Sequence, residues 1–436
     1  MAWPVGVALV LVSCGAEAVP PFDPYAEPDA IWDWCEAAYD QRAAGTMVEE
    51  AADAEALAGV ELVGGDLVIS GPLLNGVTAL SDLRCVRGDL RIESNGRLVD
   101  LAGLEGLVFV GGELEISVNS SLIGVPGLSG LQVVGRDVEV VRNERLRSVD
   151  GLSALVAVHG ELDVFDNAAL GSVAGLDALE TLGGRLSVRS NESLERISLR
   201  RLRETDVERA DGGATFRGVE ITGNEALTQI ELPLLEATGH LDVTENPALR
   251  SVDLSGLQRV EGGSSDVFSG GVIVVSDALE AIDLSNLTSL SGRLRVDGPP
   301  LTRLSAPRLR AVVGDVHVGE EVRSVPQRIA TLETLDLASL TEVGGDLRIQ
   351  NTAIESLEGL GSLSSVEGTL EVEHNPVLRS LVGLESVTHI GWSLAIASNR
   401  SLPQCEALAL EQRLIEEGAF DGSARIAAND ETATCD

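Results

Sequence analysis

The chain has 436 residues, 44% of them hydrophobic but only 3% aromatic, so any core it builds is aliphatic, made of Leu, Val, Ile and Ala. A formal net charge of −38 excludes nucleic acid as a partner, because a phosphate backbone demands a basic surface, and it sets the body of the protein against an anionic membrane. The partners that this charge permits are basic proteins, cationic polymers and divalent cations such as Ca²⁺; its simplest meaning is a solubilising coat.

The predicted elements begin with an apolar run from Val5 to Val12. It is too short to span a bilayer and fits the hydrophobic region of a signal peptide. The tetrad Leu11-Val12-Ser13-Cys14 resembles a bacterial lipobox, although no Lys or Arg precedes the run. The resemblance implies lipidation at Cys14 after removal of the leader, with non-lipidated secretion as the alternative. Membrane association is thus expected only through that lipid. Residues 15–29 are small, acidic and Pro-containing, and read as a flexible tether. Residues 30–88 are assigned to an N-terminal cap and the first coils. Four further cysteines remain, Cys35 and Cys85 near the start and Cys405 and Cys435 near the end. Four cysteines allow three pairings. Positions at opposite ends of a long rod favour Cys35–Cys85 and Cys405–Cys435, stapled caps suited to an oxidising compartment.

Residues 89–400 repeat. DLRIESNGRLVDLAGLEGLVFVGG from Asp89 is followed by comparable blocks from Glu113, Asp137 and Glu161. Asn95, Asn119, Asn143, Asn167 and Asn191 recur every 24 residues, and Asn351, Asn375 and Asn399 restore the interval near the end. Asn224 and Asn246 lie between these groups. The L-x-[IV] alternation is a short strand with two aliphatics on one face. Stacked coils place such strands about 4.8 Å apart in a parallel sheet. The Asn, where the chain leaves the strand, is expected to satisfy turn backbone and bond its equivalents above and below, as a structural ladder. The fold class is therefore a mainly β repeat solenoid of right-handed parallel coils, about 24 residues each, with disulfide-stapled caps.

Gly112-Glu113-Leu114-Glu115-Ile116, Asn119 with Leu122, and Gly127-Leu128 carry a resemblance to the receptor L-domain family, a leucine-rich-repeat-like solenoid that also occurs in bacterial surface lipoproteins. Asn399-Arg400-Ser401-Leu402-Pro403-Gln404-Cys405, an amphipathic stretch and Cys435 resemble the closing cap of the bacterial members, which implies a helical cap over 401–436. The resemblance covers roughly residues 57–436 and implies a fold; that architecture hosts many unrelated ligands. Three segments depart from the repeat, 202–217, 261–270 and 322–331, and are expected as loops on one side of the rod.

No catalytic motif stands out. His159, His240, His317, His374 and His389 share no metal-ligand spacing, and neither CxxC nor GxSxG is present. No metal site or cofactor is expected. The outward strand positions are more informative: Glu113, Glu115, Asp137, Glu139, Glu161 and Asp163, with Asp89, form a band of carboxylates on adjacent coils. Val141 and Phe165 flank it as a potential apolar patch. The band is either a solvated outer face or a site for a basic partner or Ca²⁺. Rows of carboxylates on a flat sheet suit Ca²⁺ poorly, since it wants six to eight oxygens around one point. Arg295, His317 and Arg348 at equivalent later positions predict a face running from acidic to mixed or basic. The functional expectation is a non-enzymatic recognition or adhesion protein that presents a sheet face to a protein or polymer at the cell surface. The alternatives are a polysaccharide-active β-helix enzyme using paired carboxylates, and a purely architectural spacer.

Overall fold

The structure is a computed structural model that describes residues 20–205, 218–261, 270–319, 331–420 and 422–435. Within it the L-x-[IV] units are strands that pair in parallel with the next coil. Leu114, Val138 and Leu162 are partners in register, as are Ile116, Val140 and Val164. Among the described residues, sixteen such strands form one parallel sheet from Thr46–Val48 to Ser423–Ala427. Alternation sends Leu114 and Ile116 inward, where both are fully buried, and Glu115 outward.

A second wall is made of two-residue strands such as Val133–Val134 and Ala157–Val158. It forms two seven-stranded parallel sheets, joined among the described residues by single bridges from Thr181 through Glu204 to Ala237. The third wall is built of 3₁₀ turns, including Pro126–Leu128 and Asp150–Leu152. Short strands replace the turns from Arg196–Ser198 to Thr334–Asp336. Coils approach so closely here that a Cβ on Gly151 would lie 1.6 Å from the Val125 carbonyl oxygen. The inward aliphatics of all three walls make one continuous core from Val48 to Phe420. The described residues form a β solenoid.

Fully buried asparagines line the exit from the large sheet. Asn143 Nδ2 donates to the Ile116 carbonyl at 2.8 Å, and its Oδ1 accepts the backbone N–H and Nδ2 of Asn119 at 3.0 and 3.1 Å. Asn95, Asn119, Asn167 and Asn191 repeat this pattern, and Asn224 and Asn246 continue it. Asn375 and Asn399 follow near the end, and Asn429 is the last rung. Asn351 is not a rung. It sits at φ 54, the left-handed position held before other rungs by Val118, Arg142 and Asp166. The rung is Thr352, whose N–H and hydroxyl both donate to Asn375 Oδ1 at 2.9 and 2.7 Å. Leu347 pairs with Leu370, so this coil is one residue short of the interval that the asparagines suggested. Asn tolerates positive φ better than most residues, which explains its presence one place early.

The N-terminal helix α1 (Pro28–Ala38) does not cover the open end of the rod. It lies sideways on the second wall, where Ile31, Trp32 and Cys35 bury against Leu62, Cys85, Phe109, Val133 and Ala157, forming a core separate from the main one. Those five are the outward residues of successive strands and are apolar, so the wall needs a cover there. The Cys35–Cys85 disulfide fixes the helix to it. The end itself is closed by α2 (Ala51–Ala56), whose Ala54 joins the main core. The expected tether also differs from the structure, because residues 20–27 are docked. Phe22 meets Trp34 edge-on at 4.9 Å, Trp34 Nε1 donates to the Pro20 carbonyl at 2.7 Å, and Tyr25 donates to Glu180 at 2.9 Å. The aromatic residues in this acidic stretch supply the contacts that a tether lacks. Cys14 and residues 15–19 lie outside the described residues.

At the far end α3 (Gln404–Glu416) buries Ala407, Leu410 and Leu414, and Ser423–Ala427 adds the last strand. The closing cap is thus a helix plus a strand, joined by the Cys405–Cys435 disulfide. Of the three irregular segments, two leave the corner between the second wall and the large sheet, after Thr205 and Glu261; the third leaves the opposite edge of the large sheet, after Gly319. Residues 206–217, 262–269 and 320–330 themselves lie outside the described residues. No helix among the described residues is long and apolar enough to cross a membrane.

Candidate functional site

The candidate site is the outer face of the large sheet. Strand pairing aligns Arg91, Glu115, Glu139, Asp163 and Ser187 in one row. Glu220 and Asp242 extend it. Sequence reasoning missed these two because the segment before Val219 breaks the interval; the Val219-Glu220-Ile221 and Leu241-Asp242-Val243 alternation was the available signal. A second row, one residue earlier on each strand, holds Asp89, Glu113, Asp137, Glu161 and Arg185.

These carboxylates are not equivalent. Asp137 Oδ1 accepts the backbone N–H of Glu161 at 2.7 Å, and a Cβ on Gly160 would stand 2.1 Å from that oxygen. Asp89 makes the same bond to Glu113 at 3.0 Å. Each ties its coil to the next and has one oxygen committed. Glu115 lies 3.7 Å from Arg91 and accepts the Ser117 hydroxyl at 2.7 Å. Glu161 pairs with Arg185 at 3.3 Å. Asp163 pairs with Arg189 at 3.1 Å and accepts the Ser187 hydroxyl at 2.9 Å. Glu113 and Glu139 have no ion pair among the described residues.

The electrostatics follow. Partial burial pushes the Glu139 carboxyl above the ordinary glutamate range, and Glu113, Glu115, Asp163 and Asp137 push it further. Burial likewise raises Glu113, with Glu115, Asp89 and Asp137 adding to the shift and Arg91 opposing it. Arginines therefore neutralise the two ends of the band, and uncompensated negative charge is concentrated between them.

The expected apolar patch is not open. Phe165 is half-buried, with the Arg189 guanidinium stacked over its ring at 5.1 Å, and Val141 is also half-buried. The later face is mixed and not basic. Arg295 pairs with Asp297 at 2.8 Å, Arg348 with Glu371 at 3.4 Å, and Arg425 with Glu373. His317 is buried. The sheet thus runs from acidic to near neutral. Among the described residues no group of His, Cys, Asp or Glu is placed to hold a metal ion.

No family model matches the chain, and no curated protein matches it. A crystal structure of a TLR13–ssRNA13 complex aligns with 86% of this chain and 65% of that one, at 15% sequence identity and a TM-score of 0.20. The chain thus spans just under two thirds of the length of that structure.

Proposed function

We propose that this protein is a non-enzymatic recognition or adhesion module of the bacterial cell envelope, a surface lipoprotein held by a lipid on Cys14. Its right-handed coils of about 24 residues present the acidic part of the large sheet to a basic protein or cationic polymer. The observation that carries this reading is the pair Glu113 and Glu139, left without counter-ions while Glu115 and Asp163 on adjacent coils are paired with arginines. Like charges opposed across strands cost up to about 1 kcal/mol each. A cationic partner relieves that cost on binding, so the complex gains what the isolated sheet loses.

The test compares wild type with Glu113→Gln/Glu139→Gln for binding to a lysine-rich polypeptide and to whole cells. The double variant is expected to bind about 10-fold more weakly, equivalent to about 1.4 kcal/mol, and the difference should shrink as salt rises. Equal binding of both proteins at low salt removes this face from the model. Labelled palmitate supplied to the same cells should enter wild type and not Cys14→Ser; labelling of neither protein removes the anchor.

A further inference from the structure

Two asparagines of this chain are followed by glycine, Asn75 and Asn95. A glycine amide nitrogen has no neighbouring Cβ to hinder its approach to the carboxamide carbon of the residue before it. The two dipeptides lie on adjacent coils, yet their surroundings are opposite. Asn95 is a rung of the ladder and is fully buried. Its Nδ2 donates to the Ile69 carbonyl at 2.8 Å and to Asn119 Oδ1 at 2.9 Å, and its Oδ1 accepts the Gly71 N–H at 2.9 Å. A carboxamide held at both atoms cannot turn toward its own backbone.

Asn75 is exposed, and its side chain makes no hydrogen bond to any described residue. The Gly76 N–H has no backbone acceptor among the described residues. A Cβ on Gly76 would meet nothing within 4 Å, so this peptide group has room to rotate. Nucleophile and electrophile are thus both unengaged at Asn75, and the electrophile is locked at Asn95.

We propose that Asn75 is a site of spontaneous covalent modification, in which the Gly76 nitrogen attacks the Asn75 carboxamide. The bond formed joins Gly76 N to Asn75 Cγ, and the bond broken is Cγ–Nδ2. The Gly76 nitrogen gives up its proton to solvent, and Nδ2 takes one from solvent and leaves as ammonia. Water then opens the cyclic imide at either carbonyl, leaving aspartate, or isoaspartate with the chain routed through the side-chain carbon. Nothing is oxidised or reduced, and water is the sole co-reactant. The isoaspartyl product carries one extra backbone atom. Leu74 and Val77 are both buried in the core, and only Asn75 and Gly76 separate them, so the added atom displaces one of these anchors. The 3₁₀ turn Thr78–Leu80 follows at once, and α2, which closes this end of the rod, packs on it. Modification therefore loosens the N-terminal closure. The site shares no residue with the acidic face of the large sheet, and either can fail without the other.

Mass spectrometry of the full chain, held folded in mildly alkaline buffer, tests it. Cleavage after arginine places Asn75 in peptide 43–84 and Asn95 in peptide 92–97, neither of which holds another asparagine. Exchange of ammonia for water is expected at least about 10-fold faster at Asn75 than at Asn95, which must first leave its buried hydrogen bonds. In denaturant the two rates should converge. Gly76→Ala, which the open space around Gly76 accommodates, should slow the reaction at Asn75 by about 10-fold or more through crowding at the nitrogen. Hydrogen exchange at the Leu80 amide, which bonds the Val77 carbonyl at 2.9 Å, should accelerate in the isoaspartyl fraction. Equal rates at Asn75 and Asn95 in the folded chain, a gap between them that survives denaturant, an unchanged rate in Gly76→Ala, or Leu80 exchange that is indifferent to the modification would each overturn the proposal.

Discussion

At the scale of single residues the ladder does what a small core of aromatics and large aliphatics does elsewhere: it fixes one register. Each Asn satisfies three buried backbone or amide groups from neighbouring coils, and an unmade hydrogen bond in that position costs about 1–3 kcal/mol. Asn143→Ala leaves the Asn119 N–H without an acceptor and the Ile116 carbonyl without a donor. We expect local opening at Asn119 to become easier by about 3 kcal/mol. Hydrogen exchange at that amide should then accelerate by roughly 100-fold; an unchanged rate would show that water or a shifted coil replaces the side chain. The regular rungs were legible in the sequence because they coincide with the strand alternation. Asn351 misled because the same residue type also suits the left-handed position next to a rung, and only strand register separates the two.

Among the elements, α1 is the one whose placement the sequence concealed. Its signal lay in the residue before each buried aliphatic of the second wall. Leu62, Cys85, Phe109, Val133 and Ala157 are apolar, whereas Thr181, Arg259, Ser289 and Glu342 at the same place are not. In a linear reading those five merge with the core, because a two-residue strand is too short to display alternation. The helix rests on its own cluster and is tied by one disulfide closing 50 residues, of the kind worth about 2–5 kcal/mol. Cys35→Ser should therefore detach α1 while the large sheet survives. The expected readout is a red-shifted Trp32 and Trp34 emission with an unchanged far-ultraviolet spectrum. Loss of both signals together would mean that the helix and the rod fold as one unit.

For the whole molecule the excess of acid is the dominant physical fact, and pH is the lever on it. Glu113 and Glu139 hold protons more tightly folded than unfolded, so the folded protein binds more protons as pH falls toward the ordinary glutamate pKa of 4.5. Their contribution to stability is full below 4.5 and is lost as pH rises through their raised values. Glu139→Gln should accordingly raise the melting temperature at pH 7, by about 0.5 kcal/mol of stability once partial exposure and salt are allowed for, and the gain should vanish below pH 4.5. A gain that persists at low pH would trace to packing instead of charge. The alternation of aliphatic and acidic residues made this face readable from sequence as far as Asp163. What could not be read was the pairing: which carboxylate meets an arginine depends on side chains two residues along or one coil away, as with Asp163 and Arg189.

The single bridges through Glu204 have a mechanical consequence. Elsewhere along the rod neighbouring coils are sewn together on the second wall by two-residue ladders, but between Thr181 and Ala237 that seam narrows to isolated stitches. Coils interact only with their neighbours in such an array, so compliance at one seam is not shared out along the length. Among the described residues this is the sparsest backbone seam of the second wall, although the Thr205 and Thr238 hydroxyls also meet across it at 2.8 Å, so bending toward or away from the wall is expected to concentrate at this joint, with the large sheet as its leaf spring.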